Sequence, residues 1–229
     1  MKLSILIPAY NESKTILGII KRIQNVDLGE IEKELIIIDD FSTDGTREIL
    51  KSMEDDKIKD LFSEKSFGKG HSIVKGMNFA TGDLIIIQDA DFEYNPDDYP
   101  KLLRPILDGR TNVVYGSRFL GNNQIPKTKF YFGNKFLSLL TSVLYFSKIT
   151  DMETCYKVFK REIVKGMKIK SKRFGLEPEL TSKILNRGNK IIEIPISYNP
   201  RSVLQGKKIK PIDGLKAILT LFIFRFSKN

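Results

Sequence analysis

The sequence predicts an α/β domain: a mostly parallel central sheet flanked by helices, closed by an amphipathic helix at the C-terminus. Two observations carry this expectation. Apolar, β-rich runs alternate with stretches of helical spacing through the first 120 residues. Where the apolar runs end, polar clusters begin, as in sheets whose ligands bind beyond the carboxyl ends of the strands. The length, 229 residues, is enough for one such domain with a substantial core.

The strand-like runs fall at 3–8, 35–39, 84–88 and 113–116, with a weaker one near 58–62. Between them, Ile16, Ile19, Ile20 and Ile23 recur at helical spacing, as do Ile73, Met77 and Ala80. The second half is less regular. Residues 130–146 read as an amphipathic helix that contains Asn134 and Lys135 and is too short to span a bilayer. A helix at 176–187 and a strand pair around 190–198, punctuated by Pro195, follow. The chain closes with a helix from Asp213 to Phe226. We expect a single domain, with residues 1–120 as one half, 121–210 as a second and 211–229 as the C-terminal helix.

The lone cysteine, Cys155, excludes an intramolecular disulfide framework and fits a reducing compartment. The opening apolar run stops at Pro8, which suits a buried strand better than a signal peptide, so a cytoplasmic protein is expected. The formal charge of +10 favours anionic partners, with cations dense at 165–173 and at Lys207, Lys208 and Lys210. No interleaved aromatic and basic module supports nucleic-acid binding, and none is expected.

Four clusters stand at run ends: Pro8-Ala9-Tyr10-Asn11-Glu12, Asp39-Asp40, Gln88-Asp89-Ala90-Asp91 and Gly116-Ser117-Arg118. Paired carboxylates after a buried strand suit a hard divalent cation that bridges phosphates to protein. An isolated Asp-x-Asp is weak evidence; its position after Leu84-Ile85-Ile86-Ile87 strengthens it. Asp39, at a strand end, suits hydrogen bonds from a base or ribose, whereas Ser42, Thr43, Asp44 and Gly45 read as turn and helix cap. For Asp40 the two readings are even. Gly68-Lys69-Gly70 lacks the spacing of a P-loop, and the sole histidine, His71, reads as structural.

In order and spacing these clusters, with Asp44-Gly45-Thr46 and Gly68-Lys69-Gly70, resemble family-2 glycosyltransferases of the glycosyltransferase A fold, a Rossmann-like nucleotide-binding fold. The dolichol- and polyprenol-phosphate mannosyltransferases and related glucosyltransferases are similar, here without appended transmembrane helices. The resemblance implies a GDP- or UDP-sugar donor, a Mg2+ or Mn2+ cofactor, inversion at the anomeric carbon and a lipid-linked or glycan acceptor. It assigns Pro8, Tyr10, Glu12, Ile37, Asp39, Asp89 and Ala90 to the donor, and Asp91 with Glu93 to the metal. Arg118 is placed on the sugar or acceptor side, and Arg201 with Lys207 on phosphates.

Two departures fall on the acceptor side. The usual Asp-x-x-Ser-Gly-Phe-Arg is Asp151-Met152-Glu153-Thr154-Cys155-Tyr156-Lys157, and Gly-x-Ser-Lys is Gln205-Gly206-Lys207-Lys208. A phosphate acceptor needs no strong base, whereas a hydroxyl acceptor needs a carboxylate, with Asp151, Glu153, Glu177 and Glu179 as candidates. A nucleotidyltransferase is the other enzyme class with paired aspartates, but it opens with a Gly-rich turn that Pro8–Glu12 lacks. Within the last helix Ile212, Leu215, Leu219, Phe222 and Phe226, widened by Ile218 and Ile223, form a stripe ringed by cations. Such a stripe serves either core packing or peripheral attachment to an anionic membrane surface.

Overall fold

The computed structural model describes residues 1–171, 173, 175–201 and 211–227. Seven strands form one sheet: β1 (Lys2–Ala9), β2 (Glu32–Asp39), β3 (Ile58–Phe62), β4 (Leu84–Ile87), β5 (Val113–Ser117), β6 (Lys157–Lys160) and β7 (Ile191–Pro195), in the order β3-β2-β1-β4-β6-β5-β7. Leu3 to Ile7 and Leu35 to Asp39 are buried throughout, because strands covered on both faces select uninterrupted apolar runs. All pairings are parallel except those of β6, which runs antiparallel to both β4 and β5.

That reversal positions the site. The carboxyl ends of the six parallel strands meet at one edge, and the reversed β6 brings its amino end there as well. Residues 151–156, which precede β6, therefore join the four strand-end clusters. The short β6 and the turn of helix after it are absent from the sequence-based expectation. The expected strand pair at 190–198 is one strand, β7; beyond it Tyr198 makes a single bridge to Tyr94.

Helices α1 (Ile16–Asn25), α2 (Thr46–Lys51), α3 (Lys69–Phe79), α4 (Tyr99–Leu107), α5 (Lys129–Tyr145), α6 (Arg161–Val164), α7 (Leu176–Asn186) and α8 (Pro211–Phe226) complete the fold. The isoleucines at 16, 19, 20 and 23 are all buried, the expected face of α1. On α3, Gly76 allows close packing: a Cβ there would lie 2.8 Å from Ile38 Cδ1 and 3.2 Å from Leu6 Cδ2. Helix α8 is held on α5 and α7 by Tyr145 Oη to the Leu221 carbonyl (2.9 Å), Arg225 Nε to the Leu144 carbonyl (2.7 Å) and Asn186 Nδ2 to the Phe224 carbonyl (2.7 Å).

Its packed side is Ala217 and Leu221, with Ile218 half-buried. The expected stripe of Ile212, Leu215, Leu219, Phe222, Ile223 and Phe226 faces outward. Among the described residues no helix is long and apolar enough to cross a membrane.

Candidate active site

A cavity of about 810 Å³ opens at the carboxyl edge of the sheet, between the strand-end loops, α5 and α8. Pro8, Tyr10, Glu12, Asp89, Ala90, Asp91, Glu93, Arg118 and Arg201 all line it. Among the described residues its walls carry eight carboxylates and five cationic side chains, in a protein whose overall charge is +10.

The floor is built by two loops tied to each other. Asn11 takes a left-handed backbone after β1 and Phe41 does the same after β2. Asn tolerates that region, and its side chain is used here: Oδ1 accepts from the Thr43 N–H (2.9 Å). The N–H groups of Asn11, Glu12 and Ser13 donate in turn to Ser42 Oγ, Thr46 Oγ1 and Asp44 Oδ2 at 2.9–3.0 Å. Ser42, Thr43 and Asp44 thus hold the first loop in place, and Glu12 is aimed into the cavity by them.

Asp91 is buried, and its Oδ1 accepts from the Glu93 N–H at 2.9 Å. Arg201 joins three carboxylates: its guanidinium is ion-paired with Asp91 Oδ2, lies 3.3 Å from Glu12 Oε2 and 3.9 Å from Glu93 Oε1. Its own N–H donates to Glu93 Oε1 (2.6 Å), which fixes where the chain passes. Burial, followed by the neighbouring Asp89 charge, pushes the Asp91 carboxyl up; the Arg201 charge opposes this.

Asp89 takes a different partner, the ammonium of Lys69 at 2.7 Å, and Lys69 also lies 3.6 Å from Glu177. Burial works to lower the Lys69 ammonium, but the Asp89 and Glu177 charges outweigh it and hold the proton on. Behind Asp89, Gln88 Nε2 donates to the Asp89 carbonyl (2.9 Å), while its Oε1 accepts from Tyr99 and Tyr156, each at 2.7 Å. This buried polar set pins the strand end from which Asp89 and Asp91 project.

Two donor-side expectations do not meet the cavity. Ile37 is buried within β2. Asp39 is fully buried, accepts from the Ser42 N–H (3.2 Å) and is paired with Arg47 at 2.6 Å, so its carboxylate is closed off. Its neighbour Asp40 lines the cavity instead. Asp40 receives the Phe67 and Gly68 N–H groups and the Ser66 hydroxyl, all at 2.8 Å, at the entry to α3. Lys207 lies outside the described residues. His71 stacks on Phe67 with ring centroids 4.4 Å apart, away from the cavity just described.

The four candidate bases separate clearly. Asp151 is fully buried and wholly engaged by Arg118: Nε and Nη2 each donate at 2.7 Å and the Arg118 backbone N–H at 2.9 Å. Glu179 receives the N–H groups of Lys170 and Ser171 and the Lys183 ammonium, a structural clasp at the start of α7. Glu153 and Glu177 line the cavity, and each keeps one buried oxygen without a hydrogen-bond partner. Burial, then the Glu177 charge, pushes the Glu153 carboxyl up. Lys157 orders the loop that presents Glu153, donating to the Met152 and Thr154 carbonyls at 2.7 Å each. Lys69 and Lys157 were not among the expected site residues; Lys69 was legible only as the middle of a Gly-Lys-Gly turn, and Lys157 only as the last residue of the stretch 151–157, where the resembled family has arginine.

A deep acidic cavity at the carboxyl edge of a parallel sheet, floored by a strand-end Asp-x-Asp, defines a nucleotide-binding enzyme of the α/β class. The sequence profile of glycosyl transferase family 2 matches residues 4–167, and the chain belongs to that family. The chain is 28% identical over 220 residues to a dolichol-phosphate mannosyltransferase of Pyrococcus furiosus, covering 91% of this chain and 61% of that protein. It is 28% identical over 250 residues to a UDP-N-acetylglucosamine–dolichyl-phosphate N-acetylglucosaminyltransferase of Methanococcus voltae, covering 98% and 96%. Among solved structures, the fold matches glucosyl-3-phosphoglycerate synthase from Mycobacterium tuberculosis in complex with UDP, with a TM-score of 0.76 at 19% identity over 100% of this chain and 81% of that one.

Proposed function

We propose that the chain transfers a hexose from a UDP- or GDP-sugar to a polyprenyl or dolichyl phosphate at the membrane surface, with inversion at the anomeric carbon. The observation that carries the donor half of this reading is the convergence of Glu12, Asp91 and Glu93 on one guanidinium at the cavity floor. The acceptor half is supported by relatives whose names specify dolichyl phosphate and which align along more than nine-tenths of this chain. Residues 1–120 serve the donor, 121–210 the acceptor, and 211–229 the surface on which the enzyme works.

The donor set fits Mg2+ or Mn2+. Asp91 and Glu93 supply hard oxygens two residues apart on the cavity wall. Among the described residues no three acidic, histidine or cysteine side chains form a cage that could hold a metal ion by themselves. That suits an ion that takes one or two carboxylates and completes its shell with phosphate oxygens and water. When bound, such an ion neutralises charge on the departing diphosphate.

The chain's own residues do the rest. Pro8, Tyr10, Glu12, Asp89 and Ala90 line the nucleotide, and Asp40 holds the loop at its border. Asp39, paired with Arg47, braces the loop after β2 behind the cavity, and Ile37 packs within the sheet. Arg118, oriented by Asp151, faces the sugar. Arg201, and Lys207 beyond the described segment, grip phosphates, the first as a planar fork and the second as a point charge.

A second reading, transfer to a glycan or glycolipid hydroxyl, is favoured by one observation. Glu153 lines the cavity, keeps a buried oxygen without a hydrogen-bond partner among the described residues, and is biased by burial towards the protonated form, so it can exchange a proton near neutrality. UDP- and GDP-hexoses should be screened with polyprenyl phosphate and with hydroxyl acceptors, using wild type and Glu153→Gln. The phosphate reading expects lipid-dependent transfer that survives Glu153→Gln within about tenfold. Loss of transfer with donor binding intact would establish the hydroxyl reading instead.

A further inference from the structure

We propose that α5 is a membrane-contacting element, which together with the outer side of α8 seats the enzyme on an anionic bilayer. This deepens the lipid-acceptor reading and rests on it for the acceptor's chemistry. Five residues of α5 and its cap, Phe132, Phe136, Leu139, Val143 and Phe146, are 54–89% exposed. They recur at intervals of three and four, one stripe about 21 Å long at 1.5 Å per residue. Only Leu137, Ser138 and Thr141 of this 17-residue helix are buried. The fold therefore does not consume the apolar face of α5. Helix α8 packs beside it and turns Leu215, Leu219, Phe222 and Phe226 outward too.

Charge selects the occupant. No acidic residue occurs between Asp108 and Asp151, while Lys127, Lys129, Lys135 and Lys148 are exposed around the two ends of the stripe. A second copy would set these lysines against one another, in a chain already at +10. Anionic headgroups would neutralise them while the phenylalanines enter the acyl boundary. The placement also has a functional logic. Lys129, Phe130, Gly133 and Asn134 of α5, and Gly214 and Ala217 of α8, line the cavity. A bilayer seated on these two helices thus rests on elements whose other faces form part of the cavity wall.

The chain contains no tryptophan, so Leu139→Trp gives a single reporter on the exposed stripe. Vesicles of phosphatidylcholine with about a third phosphatidylglycerol should shift its emission to the blue, brominated lipid should quench it, and added salt should weaken both effects. In vesicle flotation, Phe136→Gln/Leu139→Gln/Val143→Gln should reduce binding about tenfold or more relative to wild type. Circular dichroism and donor binding, measured without vesicles, should stay unchanged in that variant. Wild-type recovery of the triple variant, or indole emission from Leu139→Trp that is indifferent to vesicles, overturns the proposal. A blue shift that tracks protein concentration without lipid, with dimers in sedimentation, overturns it in favour of self-association. Donor binding is scored separately: its absence from wild type would refute the transferase reading and leave the flotation result to be judged alone.

Discussion

Replacing Asp151 by Asn tests whether this carboxylate is a base or half of a buried ion pair. Its Oδ2 accepts two bonds from Arg118, from Nε and the backbone N–H, and its Oδ1 a third from Nη2. The amide keeps one oxygen but turns an NH2 group towards a donor that has nowhere else to point. The guanidinium is left charged and without its partner in a pocket where both side chains are buried. Breaking such a pair costs about 3–5 kcal/mol. For a chain of this length that corresponds to a fall in melting temperature of roughly 6–20 °C, at about 2–4 °C per kcal/mol. Thermal unfolding followed by circular dichroism at neutral pH reads the change directly. Arg118→Met/Asp151→Leu should recover much of the loss, because an apolar pair of similar volume removes the stranded charge. An Asp151→Asn protein that melts within about 2 °C of wild type, yet no longer transfers sugar, would refute the ion-pair argument and restore Asp151 as a base.

The remaining predictions address other parts of the molecule. Asp91→Ala should reduce turnover by orders of magnitude at saturating Mg2+ or Mn2+ while the fold survives; activity within a few-fold of wild type removes Asp91 from the metal role. Burial pushes the Glu34 carboxyl up, but bonds from Lys59, Ser4 and Thr81 outweigh it and hold the group at about 2, so its contribution is complete above about pH 4.5 and fades as pH falls towards 2. Glu34→Gln should therefore lower the melting temperature at pH 7 and narrow its gap from wild type in acid; a gap that does not change with pH counts against this. Asp60 has the opposite sign: burial raises it to about 6, so it costs stability as pH climbs from about 4 through 6. Asp60→Asn should stabilise the protein at pH 7 by on the order of 1 kcal/mol, allowing for partial exposure, with no gain at pH 4. Gly76→Ala should lower the melting temperature, since its Cβ would stand 2.8 Å from Ile38 Cδ1.

Much of the donor half was legible because its strands are buried on both faces, where hydrophobic runs are uninterrupted and end abruptly in polar residues. Glu12, Asp89, Asp91 and Arg118 could be placed at one edge on that basis. The contrast between Asp39 and Asp40 was not legible. Successive residues at a strand end point to opposite sides, and only register and the position of Arg47 decide which carboxylate meets the cavity. Strand β6 was hidden for another reason. Lys-Val-Phe-Lys has four residues and begins with a lysine whose ammonium is buried against the Met152 and Thr154 carbonyls, a tertiary arrangement without a local signature. With β6 unseen, the path of 151–156 to the site edge was unseen too, and four carboxylates could not be ranked. On α8 the periodicity was right, but spacing does not reveal which side of a helix packs; Gly214, Ala217 and Leu221 supply the close-packed and cavity-facing side.

The electrostatics of the cavity couple nucleotide binding to metal binding on the proposed reading. A nucleoside diphosphate is an anion, yet among the described residues the cavity walls carry more carboxylates than cations. Arg201 can offset Glu12, Asp91 and Glu93 or contact a phosphate, but one guanidinium cannot satisfy all of them at full strength. Lys69 is in the same position between Asp89 and Glu177. On the proposed reading, a divalent ion held by Asp91 would supply positive charge at the cavity floor and would free Arg201 to turn towards phosphate. The dependence is reciprocal, because the two ligands share one coupling free energy. Metal alone must displace Arg201 from Asp91, and nucleotide alone must face unneutralised carboxylates. Calorimetry should accordingly find each ligand binding at least about tenfold more tightly in the presence of the other, a coupling of the usual allosteric size. Arg201→Ala should strengthen metal binding in the absence of nucleotide while weakening the nucleotide's hold. Independent binding in wild type, or weaker metal binding in Arg201→Ala without nucleotide, would show that Arg201 does not stand in the cation's place.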